Sequence, residues 1–184
     1  MIRCNWCEGD ALYESYHDTV WGNPVYDDTK LFEFLTLEGA QAGLSWIAVL
    51  RRQESYKEAF DQYDLQQIIA YDEDKIESLM HNEKIIRNRL KIKSVIKNAH
   101  GVLQIQKEHG SFSEFLWTYV NHKPIINHFN SMEDVPAETE LSKRISKDLK
   151  KRGFSFVGPT IIYAYMQAVG MVNDHISSCF LYKD

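Results

Sequence analysis

Apolar residues recur at three-and-four spacing along most of the chain and nowhere alternate with polar ones for the length of a strand, which predicts helices. The clearest stretch runs through Ile92, Val95, Ile96, Ala99, Val102 and Leu103, one continuous stripe of an amphipathic helix. Phe112, Phe115, Leu116 and Tyr119 continue the theme. Nearer the start, Leu31, Phe32, Phe34 and Leu35 open a segment behind Asp27 and Asp28. After a break at Gly43, Ser45 reads as the N-cap of a second segment carrying Trp46, Ile47, Val49, Leu50 and Phe60. Asp64 and Asp72 read as caps of two further helices, over 65–70 and around Ile76, Leu79 and Met80. Leu141, Ile145 and Leu149 lie four apart and stop at Gly153, and Pro159 suits the first turn of a last helix through Ile162, Tyr165 and Met166 to Gly170. The pattern requires no strand, and the chain has no internal repeat and no Pro/Gly-rich linker. An all-α fold is expected.

Length and composition narrow this further. The 184 residues, 44% of them hydrophobic, suit a single domain over 1–184 with room for two helical lobes. No stretch is long and apolar enough to span a bilayer and residues 1–10 lack a signal-peptide run, so a cytoplasmic protein without a membrane partner is expected, by default a monomer. Three cysteines in a reducing compartment are free for metal or chemistry. The net charge of −5 argues against a polyanionic partner until its distribution is examined. Six basic residues and no acid fall within 84–97, and six more within 143–152 against Asp148 alone. Basic segments on an acidic body are the footprint of a nucleic-acid binder, although lysine-rich faces that merely solvate a helix look the same.

Three groups of residues could carry chemistry. His175 and Cys179, four apart and so on one face if helical, combine with Cys4 and His17 at the other end of the chain into a Cys2His2 set suited to tetrahedral zinc. Cys7 offers a competing pair with Cys4, and ordinary buried thiols and histidines remain an alternative. Within 37–46, Glu38 is followed by small residues, then Leu44 and Trp46. Gly43 permits close backbone approach there, and Leu44 at the tip could wedge into a base stack. Trp6, Tyr13, Tyr16 and Trp21 form a dense aromatic group that either packs as core or sandwiches a flat base. The basic stretch with Arg87, Arg89 and Lys91 lies between two predicted helices, so that a hairpin would aim amides and cations at a phosphate without reading sequence.

The run Leu37-Glu38-Gly39-Ala40-Gln41-Ala42-Gly43-Leu44-Ser45-Trp46, preceded by Tyr16-His17-Asp18 and Val20-Trp21-Gly22, resembles the bacterial 3-methyladenine DNA glycosylase I (Tag) family. So do Ile85-Ile86-Arg87-Asn88-Arg89, Lys150-Lys151-Arg152-Gly153-Phe154 with Phe156-Val157-Gly158, and Val172-Asn173-Asp174-His175, a resemblance extending from Arg3 to Cys179. It implies a helical domain of the helix-hairpin-helix glycosylase superfamily, its ends clasped by a structural zinc on Cys4, His17, His175 and Cys179, with Cys7 a bystander. It implies that Glu38 recognises the base, with Tyr16 and Trp46 in the pocket and Trp6, Tyr13 and Trp21 lining it. Gly43, Leu44, Arg87, Arg89, Lys91 and Lys151 are then the expected contacts to double-stranded DNA. Two departures stand out. Lys84 and Leu90 occupy positions where related hairpins carry glycine, and the catalytic aspartate of the wider superfamily is missing, since Glu108 and Glu114 are the only acids within 98–130.

Chemistry accommodates that absence. Methylation at N3 makes adenine cationic while it is attached to the sugar, so the base leaves as a neutral molecule with little need of acid. The expected enzyme flips out the nucleotide, holds it against electron-rich rings beside an ionised Glu38, and releases 3-methyladenine by hydrolysis. With no lysine beside the proposed pocket, it is expected to be monofunctional. A zinc-clasped DNA-binding module without catalysis would leave residues 37–46 idle, and an enzyme acting on free nucleosides would leave the clustered cations unused.

Overall fold

The computed structural model describes residues 1–183 and is helical, with ten α-helices among them. The first is α1 (Ala11–Thr19), capped by Asp10, whose carboxylate accepts from the amides of Leu12 and Tyr13. Next comes α2 (Asp28–Gln41), capped by Asp27, and every residue from Leu31 to Ala40 is buried. A helix buried on all sides is the centre of its fold, and α2 carries two acids, Glu33 and Glu38, into that centre. The anticipated segment from Ser45 to Phe60 is two helices, α3 (Trp46–Leu50) and α4 (Gln53–Ala59), broken at Arg51 and Arg52. Ser45 holds the N-cap position, but its side chain makes no capping bond.

Asp64 and Asp72 cap α5 (Leu65–Ile69) and α6 (Glu73–His81) as anticipated. Each such bond satisfies an orphan amide and is typically worth about 1 kcal/mol. The long α7 (Arg89–His109) begins at Asn88, whose side chain accepts from the Lys91 amide, and α8 (Phe112–Thr118) follows. Asp28 joins these parts, since its two oxygens accept from the amides of Phe112 and Ser113 at 2.9 and 2.8 Å. The last helices are α9 (Glu140–Lys151) and α10 (Pro159–Ala168), with Pro159 in the first turn of α10 as expected.

Two further details depart from the sequence expectation. Residues Ile125–Ile126 (β1) and Val172–Asn173 (β2) form a two-stranded parallel pair, too short for periodicity to register. The segment after β2 is not helical, so His175 and Cys179 do not share a helix face; irregular turns bring them together instead.

Packing fixes the loop between α9 and α10 against the centre. Phe154 lies across α7 at Gly101, where an added Cβ would come within 2.2 Å of its ring. The Asn98 side chain bonds both the amide and the carbonyl of Ser155, at 2.9 and 3.1 Å. The motif around Gly153 and Phe154 is thus partly structural. No helix among the described residues is long and apolar enough to cross a membrane.

Candidate active site and metal clasp

A cavity of about 220 Å³ opens beside the C-terminal end of α2. Its walls include Trp6, Tyr13, Tyr16, Trp21, Glu38 and Trp46, the whole of the anticipated recognition group. The rings meet edge to face, Trp6 with Tyr13 at 4.9 Å and with Trp21 at 5.1 Å, while Tyr16 and Trp46 lie tilted at 5.5 Å. An apolar cavity of about 150 Å³ holds a benzene ring, so this one has room for a bicyclic base.

Glu38 is 3% exposed and has one carboxyl oxygen without any protein partner. Its neighbour on the same helix is treated differently. Glu33 is also buried, yet accepts from Lys30 Nζ at 2.9 Å and Gln53 Nε2 at 2.5 Å. Burial alone, with no cation to offset it, pushes the Glu38 carboxyl up to about 8. The expectation of an ionised glutamate is therefore corrected for the empty pocket: at neutral pH the group keeps its proton. Burial, then the nearby Glu38, likewise raises the Tyr16 phenol well above its usual range. The indole nitrogens of Trp6 and Trp46 are buried and unpaired as well. Unsatisfied buried polar atoms are costly and rare, and here three belong to residues lining one cavity.

Gln41, Met132, Ala164 and Gln167 also line the cavity and had not been singled out. Ala164 and Gln167 are three apart on α10, a spacing that marks a helix face without saying what the face meets. Met132 opens a short 3-10 turn (Met132–Asp134) capped by Ser131 and Asp134, a local signal that does not say what the turn meets.

Cys4, His17, His175 and Cys179 converge although they come from opposite ends of the chain. Their four ligand atoms lie within 4.8 Å of one another, and all four residues are buried. Cys179 Sγ is 3.5 Å from His17 Nε2 and from His175 Nδ1, and Cys4 Sγ is 3.7 Å from His175 Nδ1. Tetrahedral arms of about 2.3 Å to sulfur and 2.0–2.1 Å to nitrogen imply sulfur–nitrogen edges of about 3.5 Å, so the donor set fits a four-coordinate metal ion. The outer nitrogens are held too. His17 Nδ1 donates to Asp18 Oδ1 at 2.8 Å and His175 Nε2 to the Trp21 carbonyl at 3.3 Å, which turns the remaining lone pairs inward. Burial pushes the Cys4 thiol up to about 12, a direction that a central cation would reverse. Cys7 points away and donates its thiol proton to the Cys4 carbonyl at 3.1 Å.

The residues expected to touch DNA divide. Gly43 has φ +79°, the left-handed conformation that suits glycine, and turns the chain so that Leu44 stands 44% exposed at the loop tip. Lys91 does not face solvent freely: its ammonium donates to the carbonyls of Ala40 and Ala42 at 2.9 and 2.6 Å, tying α7 to the end of α2. Burial lowers its pKa. Arg89 pairs with Glu73 at 3.2 Å and with Glu77. Arg87 is exposed, its nearest carboxylate being Glu83 at 3.9 Å, and Lys151 is exposed with Lys147 and Lys150 along α9.

Comparison with known proteins agrees with this geometry. Residues 6–182 match the family described as methyladenine glycosylase. A DNA-3-methyladenine glycosylase of Haemophilus influenzae is 48% identical over 177 residues, 96% of each chain. DNA-3-methyladenine glycosylase 1 of Escherichia coli is 46% identical over 182 residues, 99% of this chain and 97% of the other. The solved structure of 3-methyladenine DNA glycosylase I from Staphylococcus aureus, which addresses recognition of 3-methyladenine, superposes with a TM-score of 0.95 at 36% identity, covering 99% of this chain and 97% of that one. A match spanning nearly the whole chain, joined to a base-sized aromatic cavity over a buried carboxyl, leaves one conclusion: this chain belongs to the methyladenine glycosylase family.

Proposed function

We infer that this protein is a DNA-3-methyladenine glycosylase, a base-excision hydrolase that cleaves the N-glycosidic bond between 3-methyladenine and deoxyribose in alkylated DNA. The observation that carries the reading is the aromatic cavity with an unpaired, proton-holding Glu38 in its wall.

A flipped 3-methyladenine nucleotide is a flat cation. Rings of Trp46, Tyr16 and their neighbours attract it through their negative faces, an attraction of about 2 kcal/mol once desolvated. Its positive charge also lowers the free energy of the ionised carboxyl, so Glu38 gives up its proton as the base enters and accepts from the adenine edge. As the C1′–N9 bond breaks, the base keeps the bonding pair and becomes neutral, and water adds its hydroxyl to C1′ and loses its proton to solvent. No lysine lines the cavity among the described residues, which supports a monofunctional enzyme without a Schiff-base step.

Leu44 fills the gap left in the stack, Arg87 and Lys151 meet phosphates of double-stranded DNA, and Lys91 and Arg89 shape the surface that carries them. Zinc is the ion we assign to Cys4, His17, His175 and Cys179, a closed set of four protein ligands and therefore structural. Incubation of the wild-type protein with methylated duplex DNA should release free 3-methyladenine, and Glu38→Ala should lower kcat/KM by on the order of 10²-fold. A wild-type protein that retained DNA without releasing base would overturn the activity. A fully active Glu38→Ala would overturn the role given to the carboxyl.

A further inference from the structure

Gln167 faces the same cavity from α10, and its amide has a fixed orientation. Asp174, 1% exposed, is surrounded by three donors: Asn127 Nδ2 reaches Oδ1 at 2.7 Å, while the Tyr163 hydroxyl and Gln167 Nε2 reach Oδ2 at 2.6 and 2.8 Å. A carboxylate in such company only accepts, so it is the nitrogen of the Gln167 amide that must face it. The amide oxygen is left on the other branch, in a residue that lines the cavity, and it makes no hydrogen bond among the described residues.

We propose that Gln167 is a specificity-determining residue whose amide oxygen, held in place by Asp174, accepts a hydrogen from the exocyclic amino group of the flipped base and so favours adenine lesions over guanine lesions. The inference rests on the glycosylase reading and adds a reader to it. Adenine carries an amino group where guanine carries an oxo group at the same ring position, a donor against an acceptor. A carboxyl such as Glu38 accepts when ionised, as it does from the adenine edge, but can also take up a proton and donate to an oxo group. Gln167 has no such choice while Asp174 holds its nitrogen. An oxo group there would meet an unpaired oxygen, and buried sites with misdirected hydrogen-bonding groups discriminate far more sharply than sites that merely fit a shape. Asp174 acts through Gln167 and is a positioning residue.

The test compares release of 3-methyladenine and 3-methylguanine from the same methylated duplex DNA. Gln167→Met preserves volume and removes the acceptor. The expected result is a fall of about tenfold in kcat/KM for 3-methyladenine with release of 3-methylguanine unchanged or raised, so that the preference narrows by that factor. Asp174→Asn frees the amide to turn its nitrogen inward, and should narrow the preference in the same sense at unchanged total protein folding by circular dichroism. If Asp174→Asn does not fold, the Gln167→Met ratio alone decides. Equal losses for both bases, or an unchanged ratio, would overturn the role of Gln167. Release of neither base by the wild type would instead overturn the glycosylase reading beneath it.

Discussion

The base cavity and the terminal clasp are adjoining sites built in part from one nine-residue helix, yet they treat their polar atoms in opposite ways. On α1, Tyr13 and Tyr16 line the cavity while His17 enters the clasp. In the clasp both outer imidazole nitrogens have acceptors and the inner donors converge to within one coordination shell. In the cavity a carboxyl oxygen and two indole nitrogens have no protein partner. The difference is the one that the proposed zinc and the proposed base require, a permanent guest and a transient one. A site meant to keep its ion surrounds it completely, whereas a site that must release its product leaves polar groups open, at a cost to stability.

The largest expected effect is at the clasp. Chelation of the metal, or Cys179→Ala, should lower the melting temperature by roughly 10–20 °C, the shift that several kcal/mol produces in a chain of this size. Binding of free 3-methyladenine, followed by tryptophan fluorescence, should weaken with it, because the Trp21 ring that walls the cavity stacks edge-on against His175 at 4.8 Å. An unchanged melting curve in the metal-free protein would erase the contrast between the two sites.

Next in size is the burden of the open carboxyl. Because Glu38 sits at about 8 in the folded chain against an ordinary 4.5, the folded state binds its proton more tightly than the unfolded state does. Its stabilising contribution is full below about 4.5 and is lost as pH rises through 8, on the order of a few kcal/mol. Urea melts of wild type and Glu38→Gln should therefore diverge across that window, with the variant the more stable at the alkaline end. Parallel curves would mean that the cavity stores no such cost.

The smallest effect distinguishes two cations near the mouth. Arg87→Ala should reduce the slope of log affinity against log salt by about 0.9, the loss of one phosphate contact. Lys91→Met should leave that slope alone and instead loosen the 42–45 loop, read as faster amide exchange at Leu44. A changed slope for Lys91→Met would return that residue to the phosphate face.

Much of this was legible because caps and helical stripes are local. Asp27, Asp64, Asp72 and Pro159 each mark a helix start that residue chemistry alone announces. The cavity's aromatic members were visible as a cluster in sequence. What remained hidden depends on where chain segments meet. The spacing of His175 and Cys179 suggested a helix face, but the clasp needs only convergence, which turns supply as well. The net charge around Lys91 gave no sign that two carbonyls of α2 would claim its ammonium. Nor could the ionisation of Glu38 be read before its burial was known, since Glu33, five residues earlier on the same helix, finds two donors.

The clasp also fixes when in the life of the molecule its cavity can be completed. His17 and Cys179 are separated by 162 residues, so at ordinary rates of synthesis roughly ten to thirty seconds pass between the appearance of the first histidine and the last thiol. Until then Trp21 lacks the His175 imidazole that meets it edge-on, and the aromatic walls contributed by residues 6–21 lack their tie to the C-terminal segment. A nascent chain on the ribosome is in this sense unarmed until His175 and Cys179 join Cys4 and His17.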